Sequence, residues 1–273
     1  MSVPPAYIDS LAEELLVCHS RATMLAPPSA SRPDFDVPAA YRVLDAIASR
    51  RLAAGCNPVG RKIGFTNRSI WARYGVSQPI WAPMWSNTVH FATRDRATLE
   101  LANLVQPRIE PEVAFKLGAP VAHADSPEDV LRSISWLAPA FEIVQCHYPQ
   151  WKFSAQDCIA DFGLHGALVV GTPVAMAAEG IGGWAAALAR FDATLVRQDE
   201  TIDRGGGAMV LGSPLLALAH LVRELAASGQ PPLAAGDIVT TGTLTDAWPV
   251  AAGQAWTADY SSLGTRPLSI RFL

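Results

Sequence analysis

The chain has 273 residues, half of them apolar and 17% charged, with a formal net charge of −4. That length accommodates one large domain, or one and a half, around a sizeable core, and the composition is that of a folded chain rather than a disordered one. The acid excess argues against a surface for nucleic acid or for an anionic membrane, and no uninterrupted apolar run approaches the ~18 residues of a membrane helix. The opening MSVPPAYIDSLAEELL places acids where a signal peptide carries a basic region. Cys18, Cys56, Cys146 and Cys158 are scattered without a CxxC pair, as free thiols of a cytoplasmic protein would be.

In chain order, Ile8, Leu11, Leu15 and Cys18 recur at helical spacing and predict a first amphipathic helix over 6–20. The Pro- and Ser-rich MLAPPSASRPDFDVP interrupts it. Asp36 caps a second helix with Pro38 in its first turn, Tyr41, Leu44 and Ile47 as its stripe and Gly55 at its end. KIGFT (62–66) reads as a short strand, NRSIWARYG as a helical turn ending at Gly75, and QPIWAPMW as a loop. From Val89 onward, TVHFAT, EVAFKL, FEIVQC, GALVVG, DATLVR, DIVTTG, AWTADY and LSIRF have strand composition. Two helices are expected among them, Ser126–Leu137 and one opening at Ser213-Pro214 with Leu215, Leu218, Val222 and Leu225 as its stripe. The expected class is α+β. A mainly helical N-terminal domain, 1–85, contributes the Lys62 strand, and a β-rich, metal-binding catalytic domain covers 86–273.

PRIEPEVAF (107–115) poses the functional question. In a strand, Ile109, Val113 and Phe115 share one face while Glu110 and Glu112 stand side by side on the other. Alone, the pair fits an ordinary half-exposed strand equally well. Glu142 is a third acid, the single charge in the apolar PAFEIVQ, and a buried carboxylate persists only when paired, protonated or metal-bound. If their strands are neighbours, Glu110, Glu112 and Glu142 form a hard all-oxygen site suited to Mg²⁺ or Mn²⁺. Lys62 in GRKIGFT is either a lysine on a solvated strand face or a group that binds a substrate carboxylate and shuttles a proton. Asp157, Asp161 and His165 are spaced by four, so a helix would align them and let Asp161 orient His165; His147 is expected in solvent. TTGTLT (240–245), with Thr243, offers hydroxyls and N–H groups to a ligand or is a simple turn. RGGGAMVLG lacks the ending of a phosphate-binding loop, and there is no GxSxG or HExxH.

The order of GRKIGFT, PRIEPEVAF, FEIVQ with Trp151, DCIADFG, VLGSPLLALAHL and AAGDIVTTGTLT resembles the hydratase/decarboxylase branch of the fumarylacetoacetate hydrolase superfamily, from about Ala39 to Leu273. The resemblance implies a β-rich roll with a smaller N-terminal domain, in a homo-oligomer. It implies Mg²⁺ or Mn²⁺ on Glu110, Glu112 and Glu142, and Lys62 in the active site. Two departures stand out: Ser77 where the branch commonly has Asp before Gln-Pro, and ADFGL (160–164) where it commonly has Ala-Asp-Asn-Ala-Ser. His165, with Asp161, then becomes the candidate for proton transfer beside Lys62, and Thr243 for substrate binding. The expected activity is hydration of a 2-hydroxy-2,4-dienoate, a small 2-oxo acid in enol form, through an enolate that a Lewis-acidic cation stabilises. The alternatives are decarboxylation of a 4-oxalocrotonate-type acid, C–C hydrolysis of an acylpyruvate, and oxo-acid binding without catalysis.

Overall fold

The computed structural model describes residues 3–176 and 181–273. Helix α1 (Pro5–Arg21) buries Ile8, Leu11, Leu15 and Cys18, the stripe its spacing predicts. A single turn, α2 (Pro28–Ser31), crosses the proline-rich link. Helix α3 (Val37–Ala53) starts where the Asp36 carboxylate accepts the Ala39 N–H, and it buries Leu44 and Ile47 against α1.

Strand β1 (Pro58–Gly64) carries Lys62, and the turn α4 (Trp71–Tyr74) after it stops at left-handed Gly75. QPIWAPMW, expected as a loop, is instead strand β2 (Ile80–Trp85). It lies at the edge of its sheet and pairs with β1 alone, a position that tolerates the missing N–H of Pro83. Next come β3 (Val89–Phe91), β4 (Arg96–Leu99) and the long β5 (Arg108–Leu117). The helix expected over Ser126–Leu137 is shorter, α5 (Pro127–Leu131), and from Ile134 the chain is strand β6 (Ile134–Val144). A Ser126–Asp129 capping box does open α5, but Ile134 and Leu137 are buried where the segment joins a ladder with β5, and that tertiary pairing overrides the local signal.

Helix α6 (Ala155–Ala160), β7 (His165–Val170), β8 (Val174–Ala175) and α7 (Ile181–Arg190) follow. Helix α7 was not expected, because its paired glycines weaken the local helical signal. After β9 (Asp192–Arg197) and β10 (Glu200–Gly206), Ser213 caps α8 (Pro214–Ala227) by accepting the Leu215 N–H. The chain ends with β11 (Ile238–Thr240), β12 (Trp248–Pro249), β13 (Ala255–Asp259) and β14 (Leu268–Phe272).

The fold is α+β. One sheet has nine strands in the order β2-β1-β11-β5-β6-β7-β3, with β12 also on β5 and β8 also on β6. The other has five, β10-β9-β13-β14-β4. Both β1 and β2, from the first 85 residues, thus belong to the large sheet. One face of that sheet sends Ile109, Val113, Phe115 and Phe141 into a main core shared with Leu215, Leu218 and Val222 of α8. The segment Gly207–Ala227 is apolar and long enough to cross a membrane, yet more than half of it is buried, as in a core helix. The opposite sheet face carries Lys62 and the three glutamates, under the α1–α3–α6 layer.

Candidate active site

Strand β5 presents Arg108, Glu110 and Glu112 on one face, and its outer edge is open in the middle. It pairs with β12 through Arg108 and Ile109 and with β11 through Ala114 to Lys116, so 110–113 have no strand beside them there. Segment 241–247 fills the gap. The Leu244 N–H donates to the Pro111 carbonyl at 2.8 Å, and the Gly242 N–H donates to Glu112 Oε2 at 2.8 Å. In a strand, N–H and C=O of one residue face the same edge, so the donor that Pro111 lacks would point into this gap. Gly242 has no substitute: its φ is +102°, and a Cβ would lie 1.8 Å from Thr66 Oγ1. Gly242→Ala is expected to cost on the order of 3 kcal/mol through left-handed strain and overpacking, readable as a lowered denaturant midpoint.

Across the ladder, Glu142 lies directly opposite Glu110. One oxygen from each of Glu110, Glu112 and Glu142 falls within 4.8 Å of the others. Glu112 and Glu142 are fully buried, and Glu110 is half-buried. Lys62 Nζ stands 3.0 Å from Glu142 Oε2 and donates to the Gly163 carbonyl at 2.9 Å. Three successive left-handed residues, Phe162, Gly163 and Leu164 (φ 55°, 60° and 63°), make the turn that presents this carbonyl. Two of them carry side chains, so the turn is strained, and such strain persists only where the surroundings hold it.

The charges interlock. Burial pushes Glu110 up to about 7 and Glu112 well above the usual carboxylate range, each further raised by Glu142 and opposed by Lys62. Burial opposes the ionised form of Glu142 too, but the Lys62 ammonium and the His165 hydrogen bond hold its carboxyl down to about 2. Burial would discharge Lys62, and the three glutamates outweigh it and keep the amine protonated. One ammonium does not balance three carboxylates. Among the described residues, Glu112 Oε1 has no hydrogen-bond partner, and Glu142 Oε2 has only the Lys62 ammonium beside it. A buried orphan oxygen, an acid excess and an all-carboxylate donor set fit a hard divalent cation.

His165 Nδ1 lies 2.7 Å from Glu142 Oε1, and Nε2 lies 2.9 Å from the Thr88 hydroxyl. Both ring nitrogens are thus engaged, and the ring aims Glu142. His165→Gln should weaken Mn²⁺ binding roughly 10–100-fold, the usual effect of removing a group that orients a metal ligand, as titration calorimetry would show.

The single helical face expected for Asp157, Asp161 and His165 does not form. Helix α6 ends at Ala160, Asp161 is its C-cap, and His165 opens β7. Asp157 is used in capping, accepting from Ser154 and from Ser29. Asp161 grips His147 instead of His165, with Oδ1 2.7 Å from Nδ1 and Oδ2 accepting the His147 N–H at 3.1 Å. His147, expected in solvent, is fully buried; Asp161 draws it inward beneath α1, where its ring centroid lies 5.6 Å from that of His19.

A cavity of about 130 Å³ opens onto this floor. Lys62, Glu110 and Thr243 line it, and Phe65, Tyr74, Trp151 and Phe153 wall it, with Tyr74 and Phe153 stacked at 5.2 Å. Neither His165 nor Asp161 is in the lining. The Thr243 hydroxyl donates to the Thr245 carbonyl at 2.9 Å. Ser77 is exposed and outside the cavity. Of the aromatic residues in WARYGVSQPIWAPMW, Trp81 and Trp85 are buried in β2, and Tyr74 lines the cavity. Sequence reasoning missed Arg108, whose signal was its place two residues before Glu110, and Phe153, which carries no local signal.

Residues 65–267 match the model of the fumarylacetoacetate (FAA) hydrolase C-terminal family, and the chain belongs to that family. It is similar to the 2-hydroxyhexa-2,4-dienoate hydratase of Comamonas testosteroni, with 30% identity over 267 residues, 97% of each chain. It is 32% identical over 260 residues to a 2-keto-4-pentenoate hydratase of Paraburkholderia phymatum, covering 94% of this chain and 95% of that one. In structure it resembles the 4-oxalocrotonate decarboxylase from Pseudomonas putida G7 complexed with magnesium and adipate, with a TM-score of 0.90, 26% identity and coverage of 100% of this chain and 99% of that chain.

Proposed function

We propose that this protein is a lyase, a divalent-metal-dependent hydratase that adds water to a 2-hydroxy-2,4-dienoate and yields a 4-hydroxy-2-oxo acid. The observation that carries the reading is the convergence of Glu110, Glu112 and Glu142, with one Glu112 oxygen unpartnered, beside Lys62 at the end of a cavity with aromatic walls. The hydratase relatives support the substrate class. The three glutamates would hold Mg²⁺ or Mn²⁺, which supplies Lewis acidity toward the carboxylate and 2-oxygen of a 2-oxo acid.

The remaining roles belong to the chain itself. Lys62 Nζ is the proton-exchanging group on the cavity floor, fixed by the Gly163 carbonyl so that it cannot swing away. Thr243 bounds the substrate on the side of the 241–247 segment. Phe65, Tyr74 and Phe153 exclude bulk water from the conjugated chain. His165 serves as a positioning residue for Glu142, and Asp161 positions His147, roles that replace the proton transfer first expected of them. Acylpyruvate hydrolysis loses support on the same ground, because the Asp161–His165 pair it would use as a base is not formed. We further propose that residues 1–85 and 86–273 are the two functional parts, the first lending Lys62 to the metal-binding second, in a cytoplasmic homo-oligomer.

The test follows the ultraviolet absorbance of 2-hydroxypenta-2,4-dienoate with protein and Mg²⁺, against an EDTA control, with product identification. Decay dependent on metal and formation of the 4-hydroxy-2-oxo acid support hydration, and CO₂ release from a diacid substrate would move the assignment to decarboxylation. Binding of Mg²⁺ without decay of any dienoate would sink the enzyme reading in favour of a binder.

A further inference from the structure

Resting on that reading, we infer that Phe162 is a positioning residue for Lys62: packed on by His19 of α1 and Arg51 of α3, it keeps the 162–164 turn left-handed and so keeps the Gly163 carbonyl against Nζ. The turn is seated on the lysine itself. Ala82 of β2 is the register partner of Lys62, and a Cβ at Gly163 would lie 2.9 Å from the Ala82 Cβ and 3.3 Å from Lys62 Cδ. Gly163 thus rests on both members of that pair, and its carbonyl accepts from Nζ at 2.9 Å. A small rotation of the turn would withdraw this acceptor and leave the amine to Glu142 alone, 3.0 Å away.

Phe162 does not hold that conformation by local means. Its φ is +55°, a region that glycine and asparagine enter readily and a bulky side chain does not. Its ring supplies the restraint instead. Phe162 is buried, and its ring centroid lies 4.6 Å from that of His19 and 4.7 Å from the central carbon of the Arg51 guanidinium. The same guanidinium lies 5.5 Å from the Trp85 ring, so two aromatic side chains fix it. Burial and the nearby Arg51 hold His19 down to about 3, so a neutral ring lies beside the cation.

Both groups on the ring come from the N-terminal helices, and further ties close the far end of the turn. The Leu164 N–H donates to the Asp161 carbonyl at 2.7 Å, and the Gln145 N–H donates to the Leu164 carbonyl at 2.9 Å. Gln145 Nε2 in turn lies 3.1 Å from His19 Nε2, which links α1 to this end as well. Among the described residues, none of α1 or α3 lines the cavity. The two helices act on it at a distance, from His19 and Arg51 through Phe162 and Gly163 to Lys62.

The test measures kcat and KM with 2-hydroxypenta-2,4-dienoate, and Mn²⁺ affinity by calorimetry, for wild type, Phe162→Ala, Arg51→Met and Arg51→Lys. Phe162→Ala should lower kcat roughly 10–100-fold, the effect of misplacing a reacting group by about 1 Å, while KM and Mn²⁺ affinity stay within about threefold. Arg51→Met should lower kcat in the same direction, and Arg51→Lys should recover part of the loss because an ammonium still packs on the ring. In a Lys62→Met background, adding Phe162→Ala should change kcat no further, since the group it positions is gone. Arg51 is only half-buried, so its two variants carry the test if Phe162→Ala does not fold. Variants that keep kcat within about threefold of wild type, a Mn²⁺ affinity that falls along with kcat, or losses that multiply with Lys62→Met each overturn the inference while the hydratase reading stands. If wild type hydrates no dienoate, that reading falls. Exchange of the C3 hydrogens of 2-oxopentanoate for solvent deuterium with Mg²⁺, followed by NMR, then takes the place of kcat and decides the role of Phe162; a wild type that exchanges none overturns this inference too.

Discussion

Glu112→Gln should abolish metal-dependent turnover and at the same time make the metal-free protein more stable. Glu112 is fully buried, one of its oxygens has no partner among the described residues, and burial with the neighbouring acids pushes its carboxyl well up. A buried acid whose folded pKa is raised costs stability at every pH above its unfolded value, and the cost disappears as falling pH protonates it. Glutamine keeps the shape and still accepts the Gly242 N–H, so the variant removes that cost, on the order of 1–3 kcal/mol, or roughly 2–4 °C per kcal/mol in a chain of this size. Mn²⁺ affinity should fall at least ~10²-fold, more than for loss of an orienting group. Thermal melts with and without Mn²⁺ separate the two effects: wild type gains stability on adding metal, and the variant melts higher than metal-free wild type but gains little. A variant that melts below metal-free wild type, or that retains the metal-induced shift, would contradict the assignment of Glu112 as a ligand. Wild type without metal should also grow more stable as pH falls through about 7 toward the usual carboxylate range, since Glu110 then takes up its proton in the folded state. Saturating metal should suppress this rise.

Lys62→Met should have the opposite stability effect and an equally large effect on catalysis. Its ammonium lies 3.0 Å from Glu142 and is the cation that compensates the buried cluster. Methionine fills the space and removes the charge, leaving acids buried without a counterion, a loss of roughly 3–5 kcal/mol. The deficit relative to wild type should narrow as pH falls, because carboxyls no longer held down by Lys62 take up protons more readily. Divalent metal should restore most of the lost stability without restoring turnover, because it neutralises the glutamates but cannot exchange a proton at the position of Nζ. We expect kcat to fall roughly 10²–10⁴-fold, the usual range for a lost acid–base group. Turnover within tenfold of wild type in metal-saturated Lys62→Met would remove Lys62 from the chemistry and leave it a purely electrostatic role.

Together these variants describe a site in which stability is sacrificed for function. The α8 side of the sheet is filled with leucine, valine and phenylalanine, whereas the other face buries three acids and a lysine between β1, β5 and β6. A strained turn at 162–164 and a glycine that admits no side chain at 242 hold that arrangement. Local cost of this kind is expected where a binding site is preorganised for an ion and substrate from solution.

Much of this was legible from the amino-acid sequence because it rests on short-range physics. The stripes of α1, α3 and α8 follow from helical period, and their caps at Asp36 and Ser213 from the need to satisfy first-turn N–H groups. The alternation in PRIEPEVAF by itself put the two glutamates on one face away from Ile109, Val113 and Phe115, and a lone acid in PAFEIVQ marked Glu142. Local signals failed where a distant segment decided the outcome. Pro83 belongs to a strand because β2 found an edge on β1, and Ile134–Leu137 are extended because β5 was there to pair with. Spacing also could not say which histidine Asp161 would meet, since α6 stops one residue short of it and the chain then turns left-handed. Only the tertiary structure set Glu142 opposite Glu110, carried Lys62 to them from β1, and opened the β5 edge for the 241–247 segment. Only it brought His19 and Arg51 onto Phe162. Each of these joins residues far apart in the chain, and sequence periodicity carries no information on pairings whose register is settled by packing both faces of a sheet at once.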